Sequence, residues 1–493
     1  MKLNLLKLFF KRLFKRKSPF LTIGDDLKVK QREPKENELA LGWAWGHEEG
    51  TSQEVSQLKG IDDKYRSAHF YIIGGSGTGK TKFLESLIQQ DIKKGNGFGI
   101  IDPHGDLIED VKGWLYLSNQ NKDFLENVVL IDPTDPDFTV SFNPLEKIEG
   151  IPAAEQAKEL LEVFKKIWWD SWGARMEDIL RNSFIVLVEN ELTLLELPLL
   201  LSDAVFRKRI LKNVKNETCI QRFNEFDNLN PKTRREWMES TLNKVNAFLS
   251  DERIRQIFSS QKSTFNLREI MDNRKILLVK LDKGRLKESA SLLGSLLLSK
   301  IQMAAFSRTD IPQSQRVPFY LYIDEFQNFA TRSFIDTLSE ARKYKLSLVL
   351  AHQNLSQLPK ELKDSILANC GIQACFRVSR EDAQVLAKEL LSALYSRPPG
   401  WEVNIQSLQS ISPRECFIKN KIEGGVVFLT TPTVVSPWKD FEGESEASFK
   451  EKIDNSGTGK EYLRNRSEIE SLYRDRLKYL TKSIEPDDFR ESK

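Results

Sequence analysis

Cysteine is scarce, excess charge is nearly absent, and long apolar runs are missing. Cys219, Cys370, Cys375 and Cys416 are the only four cysteines and form no CxxC pair. That scatter fits reduced thiols in a cytosolic protein better than disulfides or a zinc site. Lys plus Arg number 74 against 71 for Asp plus Glu, a net charge of +3. Spread over 493 residues, this carries no global signature of nucleic-acid binding, so any such contact must come from a local basic surface. No stretch reaches the roughly 18 uninterrupted apolar residues of a membrane span.

What is present is the balance of a large globular chain, 40% hydrophobic and 29% charged, long enough for two or three domains. Residues 1–19 form a leader in which Leu3, Leu6, Phe10 and Leu13 recur at helical spacing among seven Lys and Arg, ending at Ser18-Pro19. It reads as a basic amphipathic helix able to lie on an anionic membrane surface, or as a solvated arm. It lacks a small-residue cleavage site. Residues 20–65 read as a small β-rich lead-in.

From His69 onward, short β-branched apolar runs follow one another: HFYIIG, GFGIID, NVVLID, KILLVKL, FYLYIDEF, LSLVLAHQ and IQACFRV. Continuous apolar runs of this length, separated by helical patterns, predict an α/β fold with a mostly parallel sheet covered on both faces. Between the third and fourth runs, residues 150–270 carry only helical periodicity, so an all-α domain interrupts the α/β domain of 66–149 and 271–435. From 436 to 493 the chain is highly charged and reads as a helical or mobile tail.

Two motifs carry chemistry. Gly74-Gly75-Ser76-Gly77-Thr78-Gly79-Lys80-Thr81 matches GxxxxGK[ST] between an apolar run and a helical pattern. Glycines let successive N–H groups and a helix N-terminus face phosphate oxygens, Lys80 bridges the β and γ phosphates, and Thr81 ligates Mg²⁺. Ser456-Gly457-Thr458-Gly459-Lys460 repeats five of these residues, but Glu461 follows and no apolar run precedes; it is a decoy. FYLYIDEF ends in Asp324-Glu325, where Asp324 would hold the Mg²⁺ shell and Glu325 would polarise the attacking water. The pair points to ATP hydrolysis rather than simple binding.

Gln353 ends the next run and is placed to report the γ-phosphate. Arg342 and Lys343 read as a helix end on the loop side of the sheet, where Arg342 is a candidate arginine finger, with Arg377 and Arg380 as rivals. Asp102, in DPHGD, is a further acid at a strand end; the lone His104 more often bonds backbone than metal. Lys232, Arg234 and Arg235, and Arg207, Lys208 and Arg209, are candidate phosphate contacts in the helical region.

Taken together, HFYIIGGSGTGKTKFLE, IIDPHGDL, SFNPLE, YIDEFQNF, SEARKYKLSLVLAHQNLSQL and CFRVSREDAQVLAKEL resemble the type IV secretion coupling proteins of conjugation, within the FtsK and HerA class of RecA-like P-loop ATPases. The resemblance covers about 66–432. It implies a homo-hexameric ring with DNA in its channel, with Lys80, Thr81, Asp324, Glu325, Gln353 and Arg342 at subunit interfaces, and it matches the helical region to the family's all-α domain. A secretion or relaxase partner would follow. Many such proteins begin with transmembrane helices, whereas this chain offers only the basic leader, so the expected location is cytoplasmic with peripheral contact at the inner membrane face through residues 1–18. The alternatives are a secretion or pilus ATPase that moves protein, or a scaffold gated by nucleotide.

Overall fold

The computed structural model describes residues 34–47, 54–118, 127–391, 400–434, 436–438, 448 and 460–481. The leader and all of the decoy motif except Lys460 lie outside them.

All seven apolar runs are strands. In chain order the strands are β1 (Glu38–His47), β2 (Glu54–Asp62), β3 (Phe70–Ile73), β4 (Gly97–Asp102), β5 (Val128–Ile131), β6 (Phe138–Thr139), β7 (Ile276–Lys280), β8 (Phe319–Ile323), β9 (Leu346–His352), β10 (Ile372–Cys375), β11 (Glu415–Asn420), β12 (Val426–Thr430) and β13 (Arg464–Asn465). Eleven of them form one sheet in the order β2-β1-β12-β11-β10-β3-β9-β8-β4-β7-β5. From β10 to β5 every pairing is parallel. The four strands beyond β10 pair antiparallel, so the β-rich lead-in extends the main sheet through Trp43 opposite Thr430.

The period-2 geometry of a strand sorts the apolar side chains into two cores. Phe70, Ile72, Phe98, Ile100, Tyr320 and Tyr322 face one side, under helices Lys80–Lys94 and Asp106–Ser118. Tyr71, Ile73, Ile101, Leu321 and Ile323 face the other, in a core shared with the helical insert. There the first insert helix, Ala153–Ile167, packs on helix Glu288–Phe306. The latter is long and apolar enough to cross a membrane by composition, but 83% of its apolar window is buried inside the protein. It is a core helix.

One polar network crosses the first core. Arg66 forks onto Asp91 of the helix after β3 at 2.6 and 2.7 Å, and Tyr322 of β8 donates to the same carboxylate at 2.5 Å. Because removing one member of a buried pair costs about 3–5 kcal/mol, this network fixes that helix against the acid-bearing strand.

The insert contributes helices from Ala153–Ile167 to Leu267–Asp272. Of its basic candidates, Arg207 is a correction: it is 1% exposed and bonded to Asp227 and to the carbonyls of Leu200 and Leu201. Its donors hold the fold together and cannot face phosphate. Lys208, Lys232 and Arg235 are exposed. From the charged tail, helix Arg466–Thr481 docks on the body: Arg466 is buried against Gln256 and the carbonyls of Pro133 and Asp135, and Arg476 pairs with Glu196 at 2.7 Å.

A candidate nucleotide site at the strand ends

Parallel strands deliver their C-terminal ends to one edge, and the predicted site residues collect there. The glycine loop leaves β3 and runs into helix Lys80–Lys94, whose N-cap is Gly79 at φ 108° with no side-chain cap. Gly77 is also left-handed, at φ 71°. These conformations are nearly free for glycine and costly for other residues. Close packing restricts Gly74, where an added Cβ would sit 2.5 Å from that of Phe376.

Three neighbouring segments hold the loop. Gly74 N–H donates to the His352 carbonyl at 3.4 Å, Gly75 N–H to that of Arg377 at 2.8 Å, and Arg414 N–H to that of Thr78 at 2.8 Å. Thr78 Oγ1 and Lys80 Nζ both donate to the Gly75 carbonyl, at 2.8 and 3.2 Å. The result is a fixed anion cradle with Ser76 and Gly77 exposed at its apex.

The acids lie beside it. Burial pulls the pKa of Lys80 down, while the charges of Glu325 and Asp324 oppose that pull, which places the lysine and both carboxylates in one electrostatic neighbourhood. Residues remote in sequence are therefore brought together. Asp324 is raised to about 7, first by burial and then by the charges of Glu325 and Asp102. Asp102 itself accepts from His104 N–H at 2.8 Å and Ile108 N–H at 3.3 Å, so it caps the following helix as well as adding negative charge. His104 is exposed.

Three acids against one lysine leave a local surplus that a divalent cation would relieve. Thr81, in the first helical turn, supplies a hydroxyl of the usual kind. The donor set thus fits Mg²⁺ held together with a nucleotide.

Glu325 is held unusually tightly. Its backbone is left-handed at φ 47°, a conformation that in a non-glycine residue stores strain and clusters at functional sites. Gln353 Nε2 donates to Oε1 at 2.7 Å and Gln327 Nε2 donates to Oε2 at 2.7 Å. Gln353 reaches Glu325 because β9 lies directly between β3 and β8. Beneath it, His352 is buried against Tyr71 and Phe326, and burial drops its pKa to about 3.

Arg342 sits elsewhere. The 3-10 turn Ala341–Tyr344 leads into the start of β9, and the Arg342 charge acts on His69, at the start of β3. A seven-residue strand separates it from Gln353, about 20 Å at the rise of a β-strand. The expected loop-side placement is corrected: Arg342 is exposed at the opposite edge of its own sheet. Arg377 is exposed beside its own glycine loop, and Arg380 pairs with Glu402 at 3.0 Å. Gln327, Lys166 and Arg414 join the site without having been singled out in the sequence. Only Gln327 carried a signal, two residues after Glu325.

Comparison with known proteins agrees with this architecture. A family model described as the type IV secretion-system coupling protein DNA-binding domain matches residues 56–392. No curated protein sequence matches significantly. Among solved structures, the plasmid coupling protein TrwB in complex with the non-hydrolysable GTP analogue GDPNP is 16% identical, covers 84% of this chain and 98% of its own, and superposes with a TM-score of 0.57. TrwB in complex with ADP and Mg²⁺ is 16% identical over 79% and 89%, at 0.54. VirB4 of Thermoanaerobacter pseudethanolicus is 15% identical over 84% and 98%, at 0.55. These three share the fold. With more than half of its length matched by the family model, on a RecA-like sheet whose glycine loop and paired acids meet at one edge, the chain belongs to the type IV secretion-system coupling protein family.

Proposed function

We propose that this protein is an ATP-hydrolysing ring motor that translocates DNA during conjugative or type IV secretion transfer. The observation that carries the reading is the convergence of Lys80, Asp324 and Glu325 on one cradle, in a chain of the coupling-protein family. The glycine loop and Lys80 bind the β and γ phosphates of ATP. Thr81 and Asp324 hold Mg²⁺, which when bound neutralises phosphate charge. Glu325 accepts the proton of a water whose oxygen bonds to the γ-phosphorus as the bond to the β–γ bridging oxygen breaks and ADP leaves. Gln353 ties the glutamate to β9, so occupancy of the γ site is felt at that strand.

Arg342 is exposed and remote from its own cradle, so its role is toward a neighbour's nucleotide across a head-to-tail interface. The family likeness suggests that such interfaces close into a ring of six subunits. Lys208, Lys232 and Arg235 are exposed cations suited to sequence-independent phosphate contact. The protein would work in the cytoplasm, drawn to the inner membrane face by the basic amphipathic pattern of residues 1–18 and joined by a relaxase or other secretion partner.

Steady-state ATPase turnover with and without duplex DNA, across a salt series, tests this. Turnover should rise on adding duplex, and the activation should fall steeply between about 50 and 200 mM salt as counterion release is lost. Turnover indifferent to duplex at every salt concentration would favour a motor that moves protein.

A further inference from the structure

Lys166 ties the helical insert to the loop that carries Glu325. Lys166 lies in the last turn of helix Ala153–Ile167, and its ammonium donates to the carbonyls of Gln327 and Asn328 at 3.2 and 2.7 Å. No carboxylate pairs with it among the described residues; burial and the neighbouring charge of Lys283 pull its pKa down to about 7. A half-buried ammonium whose hydrogen bonds go to two backbone carbonyls and to no carboxylate holds those carbonyls in place by directional bonds.

The atoms it grips lead directly to the base. Gln327 holds Glu325 Oε2, and Asn328 Nδ2 donates to the Glu325 carbonyl at 2.9 Å. Lys283 donates to Asn328 Oδ1 at 2.7 Å. The left-handed Glu325 thus sits at the head of a short 3-10 turn, closed by the Asn328 N–H bond to the Glu325 carbonyl at 3.0 Å and tied to its surroundings by these side-chain bonds. On the other side of Lys166 the helix ends at Trp168, and Trp169 follows with 74% of its surface exposed. A large, bare aromatic at the end of a helix is an effective handle for anything that loads the insert.

We propose that Lys166 is a positioning residue: its grip on the Gln327 and Asn328 carbonyls sets the Glu325 carboxylate and makes hydrolysis responsive to DNA engaging the helical insert. The coupling to DNA rests on the function proposed above; the positioning of Glu325 does not. The physical device is a chain of directional bonds that moves as one piece. A shift of the insert helix displaces two backbone carbonyls, and with them the amide that orients the base. Misplacement of about 1 Å in such a group costs up to about 10²-fold in rate.

The test uses the full chain, with Lys166→Met, Lys166→Arg, Gln327→Ala and the double variant Lys166→Met/Gln327→Ala. Each is assayed for kcat and KM for ATP with and without duplex DNA. Lys166→Met keeps the aliphatic stem and removes the donors. Its kcat should fall about tenfold while KM stays within about twofold, because the lost contact positions the base and not the nucleotide. Activation by DNA should fall toward one, and Lys166→Arg should restore most of both. The double variant should be no worse than the more damaged single variant, since the two residues act through one path. Full additivity, or DNA activation equal to wild type in both Lys166→Met and Gln327→Ala, overturns the proposal. Should Lys166→Met fail to fold, Gln327→Ala and Lys166→Arg decide it by the same two readouts. If wild-type turnover ignores DNA, the function proposed above fails instead, and the loss of kcat with its non-additivity judges the relay alone.

Discussion

Glu325→Gln should lower ATP turnover by about 10²–10⁴-fold, the usual contribution of a positioned general base, while leaving nucleotide binding near wild type. The substitution preserves shape, and both partners of the carboxylate, Gln353 and Gln327, are primary amides that can rotate to meet a new amide. The cradle itself is untouched, because its bonds come from Gly74, Gly75, Thr78, His352, Arg377 and Arg414. Turnover measured beside the affinity for a non-hydrolysable ATP analogue separates the two effects. A variant that binds normally and still hydrolyses at more than a tenth of the wild-type rate would show that another group takes the proton.

Arg342→Ala should be as damaging, by about 10³-fold or more, if its guanidinium completes the neighbour's site. The variant alone does not show which nucleotide it serves. Mixing subunits does. In a head-to-tail ring, each interface pairs Glu325 of one subunit with Arg342 of the next. Rings assembled from equal amounts of Arg342→Ala and Glu325→Gln chains contain interfaces where both residues are intact, about one in four if mixing is random. Turnover should therefore recover well above that of either variant by itself. Arg342 lies beyond the far end of β9 from Gln353, too far to serve its own cradle, so any role at a nucleotide must be across an interface. No recovery on mixing would return the role to an arginine on the cradle's own edge, where Arg377 is exposed.

The parallel half of the sheet was legible because its strands are buried on both faces. Such strands read as short, mostly apolar runs: β3, β5 and β8 are unbroken, while β4 carries Gly97 and Gly99, β7 ends in Lys280, β9 carries Ser347 and His352, and β10 carries Gln373. The antiparallel half was less so. In β11 the burial alternates, with Cys416 and Ile418 inward and their neighbours half-exposed, so the run ECFIKN offers no continuous apolar signal. Motif chemistry was legible for the same reason in reverse: GGSGTGKT and IDEF combine residues that a merely structural turn or strand end does not need.

Position relative to the sheet was not legible at Arg342. Only 11 residues before Gln353 in the sequence, it falls on the other edge, because a parallel strand carries whatever precedes it to the N-terminal side. Arg207 misled in a different way. RKR reads as a charged face, and only tertiary structure reveals that Asp227 and two carbonyls of the preceding helix absorb the guanidinium. Lys166 had no local signal at all. Its partners lie 161 and 162 residues away, and nothing in FKKIWWDSW distinguishes a lysine that grips a catalytic loop from one that dissolves in water.

That the machine converts ATP into motion along DNA is tested most directly by displacement of a third strand from a triplex-bearing duplex. Wild-type protein with ATP and Mg²⁺ should strip the third strand, while Glu325→Gln protein, or wild type with a non-hydrolysable analogue, should leave it in place. Third-strand release that proceeds equally well with that analogue, or none at all alongside brisk DNA-stimulated turnover, would contradict a translocating motor.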